Sequence, residues 1–147
     1  MPILTLQELQ PLITEWANNK GLLKKENAPK QRLKLLEEIG ETAKAILQNN
    51  QIEIKDGVGD IFVVLIILFA QLEIELDFSI QPYEKVEELL SNERLMTLLY
   101  YHDCEGFNQL HYFCQENNLD LIECANIAWN EIKDRTGKTE NGTFIKN

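Results

Sequence analysis

Five acidic residues in two short segments are the side chains in this sequence best placed to do chemistry. Glu37, Glu38 and Glu41 lie in the segment LEEIGE, and Asp56 and Asp60 lie in the segment KDGVGD. At 100° per residue, Glu38 and Glu41 lie about 60° apart around a helix, and Asp56 and Asp60 about 40° apart. Each segment, if helical, therefore presents a pair of carboxylates on one face.

Two consecutive helices are predicted to carry these segments. Pro29 suits the first turn of one helix, in which apolar residues recur every three or four positions as far as Asn49 and Asn50. A capping box of Asn50 and Glu53 opens the next helix, which is expected to run to about residue 76. Because the connection is short, the helices should pack antiparallel, with the carboxylates roughly 9 to 15 Å from the turn.

Two acidic pairs at the same distance from the turn, one on each helix, repel each other unless a cation lies between them. Ligands that are all oxygens favour Mg²⁺, Mn²⁺ or Ca²⁺ over zinc. We therefore predict that Glu38, Glu41, Asp56 and Asp60 bind metal, although any one of them alone is more often a solvated residue. Glu37 is turned 100° from Glu38, so it either borders the site or is simply exposed.

The remaining sequence predicts an all-α helical bundle forming one domain over residues 1–147. Thr5 and Glu8 form a capping box for a helix to about Asn19, with Pro11 favouring a later start. Shorter helices are expected at residues 83–90, 93–101 and 105–116, and a last one, capped by Asn118, at residues 119–135. The tail, residues 138–147, has no helical period.

Composition narrows the function classes. The net charge of −10 lacks the basic footprint of a nucleic-acid-binding domain, and it would repel free polyphosphate unless divalent cations intervened. Three cysteines with no CxxC pair and no basic leader indicate reduced thiols in a cytosol. The most apolar run, residues 61–70, is too short to span a bilayer and predicts a helix buried in the bundle.

The acidic segments resemble the signature of the MazG-like all-α nucleoside triphosphate pyrophosphohydrolases, which is EExxE on one helix and an acidic pair ending in Asp on the next. The wider frame, from WANNKGLL to NEIKDRTGKTENGTFIKN, is similar to small phage- and Firmicute-type MazG-like proteins. One departure is that the family's second motif is usually ExxD, whereas Gly57 stands three residues before Asp60. Asp56 keeps a carboxylate on the same helical face, which leaves the number and affinity of the metals open.

The resemblance implies Mg²⁺-dependent hydrolysis of (deoxy)nucleoside triphosphates to a monophosphate and pyrophosphate, with Mn²⁺ as an alternative metal. It implies catalytic roles for Glu38, Glu41 and Asp60, and attack of a metal-activated water on the α-phosphorus. A carboxylate not fully used as a ligand, Glu37 or Glu41, would take the proton. The resemblance also implies a homo-oligomer, dimer or tetramer, that removes unwanted nucleotides in the cytoplasm.

Three polar residues near the end of the last predicted helix match the family's phosphate-side positions: Asn130, Lys133 and Arg135. Their alternative interpretation is a polar helix C-terminus, where the helix dipole favours basic residues in any case.

Lys34 and Trp16 are further candidates for substrate binding. Lys34 lies one turn before Glu38 and can reach phosphate, although an exposed lysine is an equal alternative. Trp16 can stack on a base, but an aromatic residue on an amphipathic helix more often packs in the core. Gln31 is a weaker candidate.

Two other functions fit the same residues. The chain can be a non-catalytic regulatory or partner-binding helical module that retains the carboxylates as a remnant, or a relative specific for dUTP or dCTP. A di-iron carboxylate bundle is disfavoured because His102 and His111 have no ExxH spacing.

Overall fold

The computed structural model describes residues 2–78, 92–101 and 104–147, and most of these residues are helical. The predicted all-α class is confirmed, with a short two-stranded sheet added at the C-terminus. The predicted helix at residues 83–90 and His102 lie outside the described residues. In chain order the elements are α1 (Leu6–Asn19), a 3₁₀ turn (Lys25–Asn27), α2 (Ala28–Leu47), α3 (Gln51–Gln71), α4 (Glu93–Thr97), α5 (Cys104–Glu116), α6 (Leu121–Ile132), β1 (Gly137–Glu140) and β2 (Thr143–Lys146).

The α2–α3 pair forms the predicted antiparallel helical hairpin. Asn49 adopts a left-handed backbone with a φ of 53°, and the side chain of Asn50 then accepts a hydrogen bond of 3.2 Å from the Glu53 amide. The predicted end of α3 at residue 76 is wrong. Glu73 takes a left-handed φ of 57° and the Ile74 amide donates to the Phe69 carbonyl, so the helix closes at Gln71.

Helix α3 is the centre of the core. Every side chain from Ile61 to Phe69 is buried, which confirms the prediction of a helix covered on all sides. No helix within the described ranges is long and apolar enough to cross a membrane. Cys114 and Cys124 are buried free cysteines, as expected for small apolar residues in helices.

Two glycines let other helices approach α3 closely. A Cβ atom at Gly57 would overlap the side chain of Thr42 in α2, and one at Gly59 would overlap the Cys124 carbonyl oxygen in α6. The cost of two glycines in one helix is therefore offset by close helix packing. At Gly57 this packing also leaves no room for the glutamate that the family's ExxD motif would place there.

The ends of α1 agree with the prediction, whereas those of α4 and α6 differ from it. Helix α1 begins at Leu6 with Thr5 as its cap and continues through Pro11, whose missing amide hydrogen leaves the carbonyl of the exposed residue Gln7 without its helical bond. Helix α4 stops at Thr97, and the chain continues as a turn in which the Leu99 and Tyr100 amides donate to the carbonyls three residues before them.

The N-cap of α6 is Asp120, whose carboxylate accepts from the Ile122 and Glu123 amides at 2.9 and 3.4 Å. Asn118 was predicted as this cap, but it adopts a left-handed φ of 56° and belongs to the preceding turn. The helix ends at Ile132, so Lys133 and Arg135 lie at and beyond its C-terminus. The predicted helix was too long at both ends, because the residues in the turns before and after it also occur readily in helices.

The C-terminal tail, for which no strand was predicted, forms an antiparallel β-hairpin over residues 137–146. Gly137 pairs with Lys146, and Glu140 with Thr143. Asn141 and Gly142 make the two-residue turn with positive φ values of 52° and 81°, the geometry that Asn-Gly favours between strands. The hairpin, called the C-terminal hairpin below, packs beside α1 and the start of α2.

Candidate active site

One pocket of about 260 Å³ is lined by acidic residues from both predicted segments and by residues near the ends of several helices. Its walls come from α1, α2, α3, the end of α6 and the C-terminal hairpin. Two parts of it differ in chemistry. We call them the carboxylate end, formed by Lys34, Glu38, Asp60 and Arg135, and the aromatic end, formed by Trp16, Leu22, Ile67 and Phe144.

Glu38 lines the pocket from α2 although only 6% of its surface is exposed. Its Oε2 atom is buried and has no hydrogen-bond partner, while Oε1 lies 3.4 Å from Lys34 Nζ. Burial raises the pKa of Glu38, and the charges of Glu41 and Glu37 raise it further against the opposing effect of Lys34. This carboxylate thus has one oxygen paired with an ammonium group and a second, buried oxygen without a partner.

Asp60 faces the same pocket from α3. Burial raises the pKa of Asp60 to about 7, and the nearby charges of Glu38, Glu131 and Asp56 add to the effect, while Arg135 opposes it. Glu38 and Asp60 line the same pocket, and the charge of Glu38 acts on Asp60, so the antiparallel packing of α2 and α3 brings one carboxylate from each predicted pair together.

Glu41 and Asp56 lie next to this pair, outside the pocket wall. Glu41 is exposed and acts electrostatically on Glu38, and Asp56 is half-buried and acts on Asp60. In the described part of the chain, no three His, Cys, Asp or Glu side chains are close enough together to hold a metal ion. The structure therefore places the four predicted ligands in one neighbourhood, with two of them in the pocket.

Lys34 and Glu37 form an ion pair at the rim, with Lys34 Nζ 2.5 Å from Glu37 Oε1. Burial lowers the pKa of Lys34, but its hydrogen bond to Glu37 and the charges of Glu38 and Glu37 outweigh this and leave the pKa raised. Lys34 lines the pocket and keeps a substantial exposed fraction, so its ammonium group can turn toward a ligand.

Of the three phosphate-side candidates, only Arg135 lines the pocket. It lies just beyond α6, and its charge lowers the pKa of Asp60. Asn130 is exposed, and Lys133 is the half-buried C-cap of α6; neither reaches the pocket wall.

Trp16 and Phe144 define the aromatic end. Their rings lie 5.0 Å apart at an angle of 68°, edge to face. The buried Trp16 Nε1 has no hydrogen-bond partner. Gln31 lies beside them, buried, and its Nε2 donates to the Val64 carbonyl at 3.3 Å. Trp16 is therefore neither a plain core residue nor a surface one, because its indole faces the pocket.

Part of the chain that lines this pocket is similar to a known family. Residues 29–89 match the MazG nucleotide pyrophosphohydrolase domain. We call residues 29–89 the MazG segment, and they make up less than half of the chain. A protein of Haemophilus phage HP1 (strain HP1c1), described as an uncharacterized 18.2 kDa protein in the rep-hol intergenic region, is 40% identical over 70 residues. The aligned part is 48% of this chain and 43% of that relative, so the chain spans less than half of the relative's length. No solved structure matches the chain.

The MazG segment contains α2 and α3, and with them all five acidic residues. Its pocket-facing donors are oxygens, as a hard divalent cation requires. The buried Glu38 Oε2 has no partner within the protein, and burial first and neighbouring acids second raise the pKa of Asp60, so a cation between the two side chains would stabilise both. Glu38 and Asp60 therefore fit a metal ligand pair.

Several pocket residues were missed by the sequence analysis, and most lie outside the MazG segment. They include Phe144, Thr143 and Lys146 of the C-terminal hairpin, and Lys30 at the start of α2. The Asn141-Gly142 dipeptide was the available signal for a hairpin. It indicates a local turn but not where the turn docks.

Proposed function

We propose that this protein hydrolyses (deoxy)nucleoside triphosphates to a nucleoside monophosphate and pyrophosphate with the help of Mg²⁺. The observation that carries the proposal is a single pocket in which Glu38 and Asp60 of the MazG segment face the cationic side chains of Lys34 and Arg135. Acidic residues for a metal and basic residues for phosphate are the two needs of phosphoryl transfer.

Glu38 and Asp60 are the proposed inner ligands of Mg²⁺ or Mn²⁺, and Glu41 and Asp56 complete the set from the adjacent turns. When bound, the metal would neutralise phosphate charge and lower the pKa of a water molecule. The exposed side chain of Glu41 is free of hydrogen bonds to the core, so a change of rotamer can carry its carboxylate toward the pocket.

The chain's own side chains then have separate tasks. Arg135 and Lys34 hold the phosphates and offset the negative charge that builds up on the leaving pyrophosphate. Glu37 or Glu41 accepts the proton of the attacking water, as the new bond to the α-phosphorus forms and the bond to the bridging oxygen breaks. Glu37 already lies within hydrogen-bonding distance of Lys34, at the rim of the same pocket.

A nucleotide panel tests the proposal. Purified protein is incubated with the canonical ribo- and deoxyribonucleoside triphosphates, with and without Mg²⁺, and pyrophosphate and orthophosphate are measured separately. We expect Mg²⁺-dependent pyrophosphate release. No turnover with any nucleotide would favour a non-catalytic module with a remnant site, and turnover of dUTP or dCTP alone would identify a specific relative.

We also propose that the protein acts as a homo-oligomer, dimer or tetramer, in the cytoplasm, where it clears unwanted nucleotides. An apolar face on α2 supports self-association, because Leu33, Leu36 and Leu47 are 59%, 49% and 84% exposed and recur after near-whole helical turns. Sedimentation velocity on a Leu33→Glu/Leu47→Glu variant should show a smaller species. Ile3→Glu, at a residue that is 74% exposed in the segment before α1, is the control.

A further inference from the structure

The aromatic end of the pocket lies well away from the proposed catalytic carboxylates. Gln71, at the end of α3, donates from Nε2 to the Leu22 carbonyl at 3.0 Å, which places Leu22 beside the C-terminus of that helix. Asp60 is eleven residues earlier on α3, about 16 Å along its axis. A ligand with one charged and one apolar end can therefore lie along α3 with its two ends in different surroundings.

The C-terminal hairpin is fixed against the rest of the protein at this end. Thr139 Oγ1 donates to the Lys20 carbonyl at 2.6 Å, and the Asn147 amide donates to the Thr136 carbonyl at 3.0 Å, closing the base of the hairpin. The turn at Gly142 approaches Lys30 so closely that an added Cβ would meet its Cγ at 3.0 Å. These contacts hold Phe144 over Trp16 and make the hairpin part of the pocket wall.

The indole of Trp16 meets the pocket through its ring. Its Nε1 is buried without a partner and has almost no accessible surface, so a ligand in the pocket contacts the ring and not the donor. Nucleobases carry carbonyl oxygens and ring nitrogens along their edges, next to a flat π face, whereas a polyphosphate chain offers no such face.

We propose that the C-terminal hairpin completes the substrate pocket as its nucleobase-contacting wall, with Phe144 and Trp16 forming a corner in which the base stacks. The edge-to-face arrangement of the two rings suits this role, because a base stacked on one ring presents its edge to the other. The inference rests on the proposed function for the identity of the ligand as a nucleotide. It assigns the hairpin to substrate selection, separate from the chemistry at Glu38 and Asp60.

Trp16 fluorescence tests the contact directly. The chain has two tryptophans, so in a Trp129→Phe background Trp16 is the only reporter. ATP, dCTP and inorganic tripolyphosphate are titrated in the presence of Mg²⁺. We expect saturable quenching by both nucleotides and none by tripolyphosphate. Equal quenching by tripolyphosphate would overturn the proposal, because the reporter would then be sensing phosphate or metal alone.

Two neighbouring residues on β2 provide a matched pair of variants. Phe144 faces the pocket, whereas Ile145 points to the opposite face and is 48% exposed. Phe144→Leu, which keeps an apolar side chain but removes the ring, should weaken nucleotide binding about tenfold. Ile145→Leu, in the same strand, should leave binding unchanged, and circular dichroism melts of both variants report whether the hairpin's packing persists.

The outcomes separate this inference from the proposed function. Phe144-dependent nucleotide binding without any turnover would support the base-contacting wall and overturn the hydrolase proposal. Turnover with a KM that Phe144→Leu does not change would overturn the wall and leave the hydrolase standing. Equal binding losses in Phe144→Leu and Ile145→Leu would also overturn it, since the effect would then come from the strand and not from the ring.

Discussion

The two ends of the pocket are built in opposite ways. The carboxylate end takes its acidic residues from one helical hairpin, where Glu38 and Asp60 are joined by a single tight connection. The aromatic end collects Trp16 from α1, Ile67 from α3 and Phe144 from the last strand, with most of the chain between the first and the last. The residues proposed for catalysis thus lie on one helical hairpin. The residues proposed for substrate selection come together only through contacts between distant parts of the chain.

The ends also differ in what they lack. At the carboxylate end, burial and neighbouring acids raise the pKa of Asp60 to about 7, so the site is electrostatically strained until a cation is bound. At the aromatic end the packing is apolar, and one indole donor lacks a partner. Substitutions at the first should change the rate of reaction, and substitutions at the second should change which ligand binds.

The largest expected effect is at the carboxylate end. Glu38→Gln or Asp60→Asn should lower kcat at least about 1,000-fold, or roughly 4 kcal/mol in activation free energy, because the metal loses a charged ligand. Pyrophosphate release under saturating nucleotide measures this. Glu53→Gln, an exposed acid on the same helix as Asp60 but outside the pocket, is the control and should be near wild type. Activity within tenfold of wild type in either site variant would contradict the assignment.

The next largest effect is expected on stability, where α3 packs against α6 beside the carboxylate end. Gly59→Ala should destabilise the protein by about 3 kcal/mol, because the new Cβ overlaps the Cys124 carbonyl and pushes α6 away from α3. Thermal or urea unfolding measures the loss. Gly40→Ala is matched to it, since no atom lies within 4 Å of a Cβ there, and it should be neutral or slightly stabilising. Similar losses in both would mean that helix propensity, and not the contact with α6, explains the glycine.

Without metal, the carboxylate end should lower the free energy of unfolding of the protein. Because the folded protein holds the Asp60 proton more tightly than the unfolded chain, the protein loses stability as pH rises from about 4 through 7. In EDTA, Asp60→Asn should therefore change stability little at pH 4 and raise it by about 2 kcal/mol at pH 8, after allowance for solvent screening. Urea unfolding at the two pH values measures it. A gain of the same size at pH 4 would show that ionisation is not the cause.

The contrast between the ends explains how far the sequence could lead. The α2–α3 hairpin was predictable because helix period, the Asn50 cap and a short connection are local signals, and they fix the relative height of Glu38 and Asp60. The C-terminal hairpin was missed although Asn141-Gly142 marks it, since its strands are short. Its docking on Trp16 depends on contacts across more than a hundred residues, which no local pattern encodes.

A smaller effect is expected from the aromatic end. Trp16→Leu should raise KM for nucleotides about tenfold and leave kcat within a factor of two, because the lost stacking acts equally on bound substrate and transition state. Steady-state pyrophosphate release over a range of nucleotide concentrations separates the two constants. A fall in kcat with unchanged KM would place Trp16 among the residues that act on the reacting phosphate, and the division between the two ends would fail.

The smallest effect should come from a residue that belongs to neither end. Asp120 caps α6 through bonds to the Ile122 and Glu123 amides, at the opposite end of that helix from Arg135. Asp120→Ala should lower stability by about 1 kcal/mol, and kcat and KM should both stay close to wild type. Thermal unfolding and steady-state kinetics on the same preparation measure the two quantities. Because fraying at the N-terminus of α6 does not reach Arg135, a change in either constant would mean that the ends of the pocket depend on global stability, and not on the local contacts that distinguish them.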